Sequence, residues 1–243
     1  MRFAFFVVTY LALAAPASAG PPYQTDDPEP ADLGHFEIYM FSDGVNTRAD
    51  TAGQSGFDIN YGAAEDLRLT AVVPLGFDDP RDGRAAFGLS DIELGAKYRF
   101  LHQDDSGWDV SFFPQADLPT RSRAALGEDH ASLFLPLWVQ KDWGDWSTFG
   151  GGGYDVDHSG ASRDFWFMGW ALTYQLTRAL EVGAELYHST PDMRGGKPST
   201  GLGLGADYEL SEHYHLLASF GPGIQNAAET NSYSWYASLE FKF

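Results

Sequence analysis

Strict alternation of apolar and polar residues is the feature that most restricts how this chain can fold. In residues 232–243, apolar or aromatic side chains occupy every odd position from Tyr233 to Phe243, with Ser, Tyr, Glu and Lys between them. Side chains of a β-strand point to opposite faces in turn, so a period of two predicts a strand with one apolar face. Twelve such segments lie at residues 35–43, 54–62, 67–77, 88–101, 108–119, 131–142, 146–156, 165–177, 180–189, 200–211, 214–223 and 232–243.

The connections between these segments alternate between short and long. Residues 63–66 and 102–107 are short connections, whereas residues 43–53, 78–87 and 120–130 are long ones. An even number of strands joined by short turns at one end and longer loops at the other is typical of bacterial outer-membrane proteins. The sequence therefore predicts an all-β fold, a transmembrane antiparallel up-and-down β-barrel of about 12 strands.

A secreted soluble β-domain is the alternative, because a sandwich also alternates apolar and polar residues. Several segments here reach or exceed the roughly 9–11 residues with which a tilted strand crosses a bilayer. Their apolar face carries no charge and becomes aromatic near the segment ends, as expected where side chains meet the membrane interface. These aromatic positions are Tyr98, Phe100, Trp108, Tyr208, Tyr214, Tyr233 and Phe243.

The N-terminal residues have the features of a secretory signal peptide. Arg2 precedes an apolar run over residues 3–15, and the small residues Ala17, Ser18 and Ala19 follow. The run is shorter than the roughly 20 residues of a spanning helix, which disfavours the alternative of a membrane anchor. We expect cleavage near Ala19. The predicted domains are 1–19, the signal peptide; 20–33, a periplasmic segment that is disordered or packed into the barrel mouth; and 34–243, the barrel.

Composition excludes several functional classes. The 34 acidic residues outnumber the 15 basic ones, for a net charge of −19, which excludes a nucleic-acid partner bound by phosphate neutralisation. There is no cysteine, so disulfides, thiolate zinc sites and thiol nucleophiles are excluded. A chain without cysteine is also suited to passage through an oxidising periplasm. No cofactor is expected.

The polar faces of the twelve strands would line the lumen of the barrel. They carry eleven acids against four bases, a wall that favours cations or polar solutes. Alternatively, these groups pair across strands in a filled, non-conducting barrel. The inward acids are Glu37, Asp58, Asp91, Glu93, Asp109, Asp117, Glu181, Glu185, Asp207, Glu209 and Glu240, and the bases are Arg68, Lys97, Arg99 and Lys242. The lumen-lining candidates among them are Glu37, Asp91, Glu93, Lys97, Arg99, Asp117, Glu181, Glu185, Asp207 and Glu240.

Aromatic residues also occupy inward positions. They either form a path for apolar solutes or simply fill space. Three of them follow directly from the alternation, and four lie in segments whose register is less clear. They are Phe113, Tyr187 and Tyr236, and then Phe134, Trp138, Phe165 and Phe167.

Two short motifs could carry other chemistry. Asp155 and Asp157 open a sequence like the first half of a calcium loop, but Trp166 stands where the bidentate Glu belongs, which favours an acidic hairpin loop. His188 and Ser189 resemble the pair of an outer-membrane lipid hydrolase. Adjacent residues of a regular strand point to opposite faces, so this pair could not meet. We therefore expect no catalytic residues, no metal site and no enzyme activity.

Three stretches of sequence together resemble a known family. They are TDDP at residues 25–28 followed by GHFE at 34–37, GLSDIELGAKYRF at 88–100, and LPT at 118–120. They are similar to outer-membrane transporters of the meta-pathway of phenol degradation family, over residues 23–243. Arg121 follows the LPT triplet where many relatives have Gly. The resemblance implies a transport barrel with no catalytic residues, and the family's name implies uptake of aromatic compounds.

The C-terminal Phe243 closes an alternating strand, as the C-terminal signal of Gram-negative outer-membrane proteins does. This similarity implies the cell outer membrane as location, with the barrel assembly machinery and outer-membrane lipids as partners. The predicted function is a channel for passive uptake of small-molecule solutes, with aromatic or apolar compounds as candidates. A non-conducting structural or surface-binding barrel and an outer-membrane lipid hydrolase are the alternatives.

Overall fold

The computed structural model describes residues 21–157 and 162–243, nearly all of whose regular structure is β-sheet. The predicted signal peptide (1–19) and residues 158–160 of the possible calcium loop lie outside the described residues. The strands are β1 Phe36–Asn46, β2 Asp50–Ala64, β3 Leu67–Pro80, β4 Ala86–Leu89, β5 Ile92–Leu101, β6 Asp109–Phe112, β7 Gln115–Leu118, β8 Ser132–Trp143, β9 Trp146–Val156, β10 Phe165–Thr177, β11 Leu180–Ser189, β12 Ser199–Ser211, β13 Tyr214–Gln225 and β14 Tyr233–Lys242. Two short helices, α1 (Gln103–Ser106) and α2 (Ala227–Thr230), lie in connections.

The sheet closes on itself into a barrel of twelve antiparallel strands. Strand β1 pairs with β2 on one side and with β14 on the other, which joins the two ends of the chain. Strand β3 pairs with both β4 and β5, which together make the fourth barrel strand. Strand β8 pairs with both β6 and β7, which together make the fifth. The predicted up-and-down barrel is confirmed.

The fifth barrel strand is interrupted at Phe113 and Pro114, between β6 and β7. Proline has no N–H to donate to a neighbouring strand, so a break in regular pairing is expected there. The other backbone groups at this point remain bonded: Pro114 accepts from Ala96, and Phe113 donates to Pro136 on β8. The barrel wall is therefore continuous through the break.

One connection is much shorter than the sequence predicted. Residues 43–53 were expected to form a long loop, but β1 and β2 continue to Asn46 and Asp50 and leave only three residues between them. The turn is held by Thr47, whose hydroxyl donates to Asp50 Oδ1 at 2.6 Å and accepts from the Asp50 amide at 3.1 Å. Because these polar strand ends lack an apolar face, alternation alone could not reveal that pairing continues.

The outer surface of the barrel is apolar, as a surface in contact with lipid must be. Large apolar side chains point outward and stay exposed, as Leu204 (68% exposed) and Phe220 (58% exposed) show. Aromatic side chains meet in pairs near the barrel ends, with ring centroids 4.7 Å apart for Trp146 and Tyr174 and 5.6 Å apart for Phe220 and Tyr233. This is the distribution expected of a membrane-embedded barrel with aromatic girdles. No helix of the described residues is long and apolar enough to cross a membrane.

The inner surface is polar, and the most deeply buried side chains point into the lumen. Lys97, Gln140 and Glu240 are almost completely buried there, together with Trp138 and Phe149. The alternation therefore predicted the two faces correctly along most strands. Glu209 lies opposite His215 in the register of β12 with β13, and His215 lies opposite the inward-pointing Glu240; Glu209 is exposed near the end of its strand.

Candidate functional site: the barrel lumen

Residues 21–33, the N-terminal segment, lie inside the barrel. The segment joins the barrel at the end with the short turns and both chain termini, here called the periplasmic end by the usual orientation of outer-membrane barrels, and the opposite half is called extracellular. At this end Leu33 forms an isolated β-bridge with Gly62. From there it extends backwards along the chain into the lumen, where Thr25 and Asp27 are completely buried. The sequence predicted a segment that is either disordered or packed into the barrel mouth. The segment lies deeper in the lumen than the mouth. The lumen is thus shared between the wall and a piece of the chain's own N-terminus.

Glu185 on β11 holds one side of the N-terminal segment. Its carboxylate accepts hydrogen bonds from the backbone amides of Gln24 and Thr25, both at 3.0 Å, and from the Thr25 hydroxyl at 2.9 Å. Hydrogen bonds to an ionised acceptor are stronger than those between neutral groups. The buried carboxylate therefore finds its partners in the segment.

Lys97 on β5 holds the opposite side. Its Nζ donates to Asp26 Oδ1 at 3.0 Å and to the Asp27 carbonyl at 2.6 Å, and lies 3.7 Å from Asp27 Oδ1. Arg68 adds a second cation 3.9 Å from Asp26. Both cations lie over the Phe113 ring, about 5 Å from its centroid, where its π-face favours positive charge. An acidic stretch of the segment is thus bound by a basic patch of the wall.

These two attachment points are on nearly opposite walls. Strand β5 belongs to the fourth barrel position and β11 to the ninth, five steps apart around a ring of twelve. The segment therefore crosses the lumen rather than following one wall. Tyr23 packs against Phe149, with ring centroids 5.9 Å apart, and over Gly205, where an added Cβ would come within 2.6 Å of the tyrosine ring. Only glycine leaves room for such close approach.

Two carboxyl groups of the N-terminal segment, which is not part of the membrane-spanning strands, titrate abnormally. Burial raises the pKa of Asp27 to about 7, even though the charge of Lys97 acts to lower it. Burial, and then the charge of Asp27, raise the pKa of Glu29 to about 8. Burial disfavours the charged form of a carboxyl group. The segment therefore carries groups whose protonation affects how well it fits in the lumen.

The periplasmic half of the lumen wall is held by ion pairs. Arg99 lies 3.1 Å from Asp66 and 3.7 Å from Asp109. On the other side, Asp207 lies 3.1 Å from His215 Nδ1, and at the seam Glu240 lies 3.5 Å from Lys242 Nζ. Several residues predicted to line the lumen are thus paired here: Arg99 with a turn and a neighbouring strand, Asp207 with a neighbouring strand, and Glu240 with Lys242 of its own strand.

A cavity of about 350 Å³ lies in the extracellular half, between the N-terminal segment and the outer ends of β7 to β10. Its walls are aromatic on one side and acidic on the other, and Arg68 is the only base among them. The lining residues from the barrel wall are Asp58, Arg68, Thr70, Glu93, Phe113, Gln115, Asp117, Phe134, Trp138, Asp155, Phe165 and Phe167, and those from the segment are Pro21, Tyr23, Gln24 and Asp26.

The structure places three of the remaining predicted lining residues away from this cavity. Asp91 accepts hydrogen bonds from the backbone amides of Arg121 and Glu128, so it fastens the loop between β7 and β8. Glu37 lies opposite Lys242 in the register of β1 with β14. Glu181 lies opposite Asp207 in the register of β11 with β12, on the periplasmic side of Glu185.

Neither short motif forms a reactive site in the described part of the chain. His188 Nδ1 contacts the Thr200 hydroxyl at 2.8 Å, whereas the Ser189 hydroxyl donates to the Thr190 carbonyl at 2.9 Å, so the two side chains do not meet. Asp155 lines the cavity, and residues 158–160 of the possible calcium loop lie outside the described residues. Among the described residues, no group of three or more His, Cys, Asp or Glu side chains is placed to hold a metal ion.

A family model described as "Putative MetA-pathway of phenol degradation" matches residues 25–241. The chain belongs to this family. The match begins in the N-terminal segment and ends in β14, so it includes both the barrel and the part of the chain inside it. No curated protein matches the chain.

Solved structures of other outer-membrane barrels share the fold of this family member. The COG4313 outer membrane channel from Pseudomonas putida F1 superposes with a TM-score of 0.72 at 14% identity, covering 89% of this chain and 98% of that one. The KdgM porin, solved with disordered oligogalacturonate, gives a TM-score of 0.59 at 9% identity, covering 85% and 99%. The translocator domain of the autotransporter NalP from Neisseria meningitidis gives 0.51 at 16% identity, covering 89% and 91%.

Sequence reasoning missed the residues with which the family member fills its own lumen. Tyr23, Thr25, Asp26 and Asp27 were not candidates, because the segment has no periodicity and its Pro and acid content suggested disorder or packing at the mouth. A usable signal was present: Lys97 is a base at an inward position among a surplus of acids. A buried base requires a partner, but the sequence could not show that the partner lies 71 residues away.

Proposed function

We propose that this protein is a channel of the Gram-negative outer membrane that admits small molecules by diffusion, and that the N-terminal segment controls passage. The observation that carries the proposal is the cavity inside a closed barrel whose outer face is apolar. Two of the structures with the same fold are named a channel and a porin, which supports it. In this proposal the protein has no enzymatic role.

The N-terminal segment divides the route through the barrel. A solute from outside would reach the cavity first and would meet the segment where it crosses from Lys97 to Glu185. Passage to the periplasm then requires the segment to shift. Its attachments are hydrogen bonds and ion pairs, which can be exchanged for water or solute more readily than a packed apolar core.

Export and membrane insertion complete the proposal. The signal peptide would be cleaved near Ala19, which leaves the N-terminal segment free to enter the barrel from the periplasmic side. The C-terminal Phe243 would present the last strand to the barrel assembly machinery. The domain division predicted from the sequence then applies, except that residues 21–33 act inside the barrel.

The test uses a disulfide that locks the segment in place. The Cβ of Thr25 lies 3.2 Å from where a Cβ would stand at Gly169 on β10, close to the roughly 3.5–4.5 Å of a disulfide, and the native chain has no competing cysteine. The variant Thr25→Cys/Gly169→Cys is reconstituted in planar bilayers. We expect low conductance when it is oxidised and discrete, cation-preferring channels after reduction with dithiothreitol.

Each single-cysteine variant is the matched control, because neither can form the lock and neither should respond to dithiothreitol. Conductance that is the same in the oxidised and reduced double variant would show that ions do not pass the segment. Silent bilayers and absent liposome swelling with the wild-type protein in every condition would overturn the channel proposal. That result would favour the second candidate, a non-conducting structural barrel, which the filled periplasmic half of the lumen supports.

A further inference from the structure

Two residues that line the extracellular cavity each have a buried polar atom without a partner in the described chain. The indole Nε1 of Trp138 and the carboxylate Oδ1 of Asp155 have no hydrogen-bond partner among the described residues. Trp138 is 2% exposed and Asp155 is 7% exposed, and both side chains line the cavity. Leaving a buried donor and a buried acceptor unpaired is unfavourable, so their presence in one cavity indicates a ligand that supplies the missing partners.

Aromatic rings surround the Asp155 carboxylate. In the register of the sheet, Asp155 on β9 lies opposite Phe134 on β8 and opposite Phe165 on β10. The wall continues with Phe167, whose ring centroid is 6.3 Å from that of Phe134 and 6.5 Å from that of Trp138, both in edge-to-face geometry. A flat apolar ligand could therefore stack in this part of the cavity next to a negative charge.

Three acids at the outer end of the cavity, Glu93, Asp117 and Asp155, have no basic partner in the part of the chain that the structure describes. Glu93 and Asp117 lie opposite each other in the register of β5 with β7. The side chains that donate hydrogen bonds to them are neutral: Gln115 donates to Glu93 at 2.8 Å, and Ser132 donates to Asp117 at 3.2 Å. Within the described chain, no Lys, Arg or His nitrogen lies within 4.0 Å of these two carboxylates or of Asp155. The described residues around the outer end of the cavity therefore place no positive charge next to these three carboxylates.

A metal ion does not fit this arrangement, because the described acids are not grouped as metal ligands. An organic cation with an aromatic body does. Trp138 lies opposite Gly151, four residues before Asp155 on β9, so the two backbone positions are roughly 13 Å apart along the strand at about 3.3 Å per residue. The geometry suits a molecule with a charge at one end and a hydrogen-bond acceptor at the other.

We propose that the cavity is a binding site for small aromatic amines that carry a hydroxyl group. The ammonium group is bound by Asp155, with Glu93 and Asp117 as further countercharges. The ring packs on Phe134 and Phe167, and the hydroxyl oxygen accepts a hydrogen bond from Trp138 Nε1. The inference rests on the proposed function in one respect: the solute must enter the lumen from outside.

Equilibrium binding to the purified protein in detergent tests this site, with empty micelles subtracted. The probes are tyramine, 4-hydroxyphenylacetate, which replaces the ammonium group by a carboxylate, and phenethylamine, which lacks the hydroxyl. We expect tyramine to bind at least about tenfold more tightly than the anion, because like charges facing each other are strongly disfavoured. Calorimetric titration gives all three affinities.

Two variants separate the ends of the ligand. Asp155→Asn keeps the shape of the side chain and should weaken tyramine binding by about tenfold or more, because it removes the charge-assisted hydrogen bond. Trp138→Phe should weaken tyramine but leave phenethylamine unchanged, because only tyramine accepts from the indole N–H. Far-UV circular dichroism confirms that each variant is folded.

The matched control is Asp43→Asn. Asp43 also points inward with an unpartnered oxygen, but it is on β1 and does not line the cavity. Equal binding of tyramine and the anion, or equal losses in Asp43→Asn and Asp155→Asn, would overturn the site. A separate measurement of conductance distinguishes the amine site from the channel function. A barrel that conducts ions but does not prefer amines refutes only the proposed amine site. A barrel that binds tyramine but does not conduct refutes only the proposed channel.

Discussion

The two halves of the lumen are built from the same alternating strands but are chemically different. In the periplasmic half, the bases of the wall are paired with acids, for example Arg99 with Asp66 and Lys242 with Glu240. In the extracellular half, Glu93 and Asp117 face a cavity and have neutral partners. Two-residue periodicity therefore decides which side chains point inward, whereas the position of the bases along the strands decides which half is filled.

All four inward bases lie in the middle or the periplasmic half of the barrel. Arg68 is near the start of β3, Lys97 and Arg99 are in the second half of β5, and Lys242 ends β14. The N-terminal segment is acidic and enters from the periplasmic end, so it meets these bases first. The distribution of charge thus explains both the docking of the segment and the unneutralised acids above it.

Removal of the N-terminal segment should change the difference between the two halves of the lumen the most. A variant lacking residues 21–31, with Asp32 and Leu33 retained for the bridge to Gly62, would leave the periplasmic half as open as the extracellular half. We expect single-channel conductance in planar bilayers to rise several-fold. Unchanged conductance would mean that the segment does not lie on the ion path.

Lys97→Met should have the next largest effect. It removes the ammonium group that Asp26 and Asp27 share and leaves the buried Asp27 carboxylate without its nearest cation, a change that typically costs about 3–5 kcal/mol. We expect the segment to leave the lumen and to become cleavable by added protease. Lys141→Met is the control, because Lys141 lies over the Trp108 ring and contacts no acid of the segment. Equal protease resistance of both variants would contradict the assignment.

Thr25→Val tests the attachment of the segment to Glu185 on the opposite wall. It should weaken docking less than Lys97→Met does. The variant keeps the shape of the side chain but loses the hydroxyl that donates to Glu185, while both backbone amides remain bonded. We expect docking of the segment to weaken by about 1.5 kcal/mol, the lower end for a hydrogen bond to a charged group. Protease cleavage rates measure this loss, and a rate equal to that of Lys97→Met would show that the two attachments do not contribute separately.

A change of pH should loosen the docked segment gradually, without removing any of its side chains. The pKa of Asp27 is raised to about 7 and that of Glu29 to about 8, so the docked segment favours the protonated forms. Its docking should therefore be strongest near pH 4, weaken as the pH rises to about 8, and level off above that. Conductance should rise modestly over this range in the wild type. The rise should be smaller in Asp27→Asn/Glu29→Gln, and an equal rise in both proteins would assign the titration to the wall.

Much of the barrel could be predicted because its pattern is local. Alternation identified the twelve strands and put Phe134 and Trp138 inside, and the structure confirms both. The loop expected at residues 43–53 was wrong, because pairing continues there through polar residues. The contact of Asp26 with Lys97 was not predictable, since it joins an aperiodic segment to a distant strand and depends on the closed shape of the barrel.

The bridge from Lys97 through the N-terminal segment to Glu185 also has a mechanical consequence. Every backbone hydrogen bond of the wall runs between neighbouring strands, so a ring of twelve strands can flatten into an ellipse without breaking one of them. The segment joins β5 to β11 across the diameter and acts as a strut against this deformation. When the segment leaves the lumen, both the shape of the barrel cross-section and the open width of the lumen are free to change.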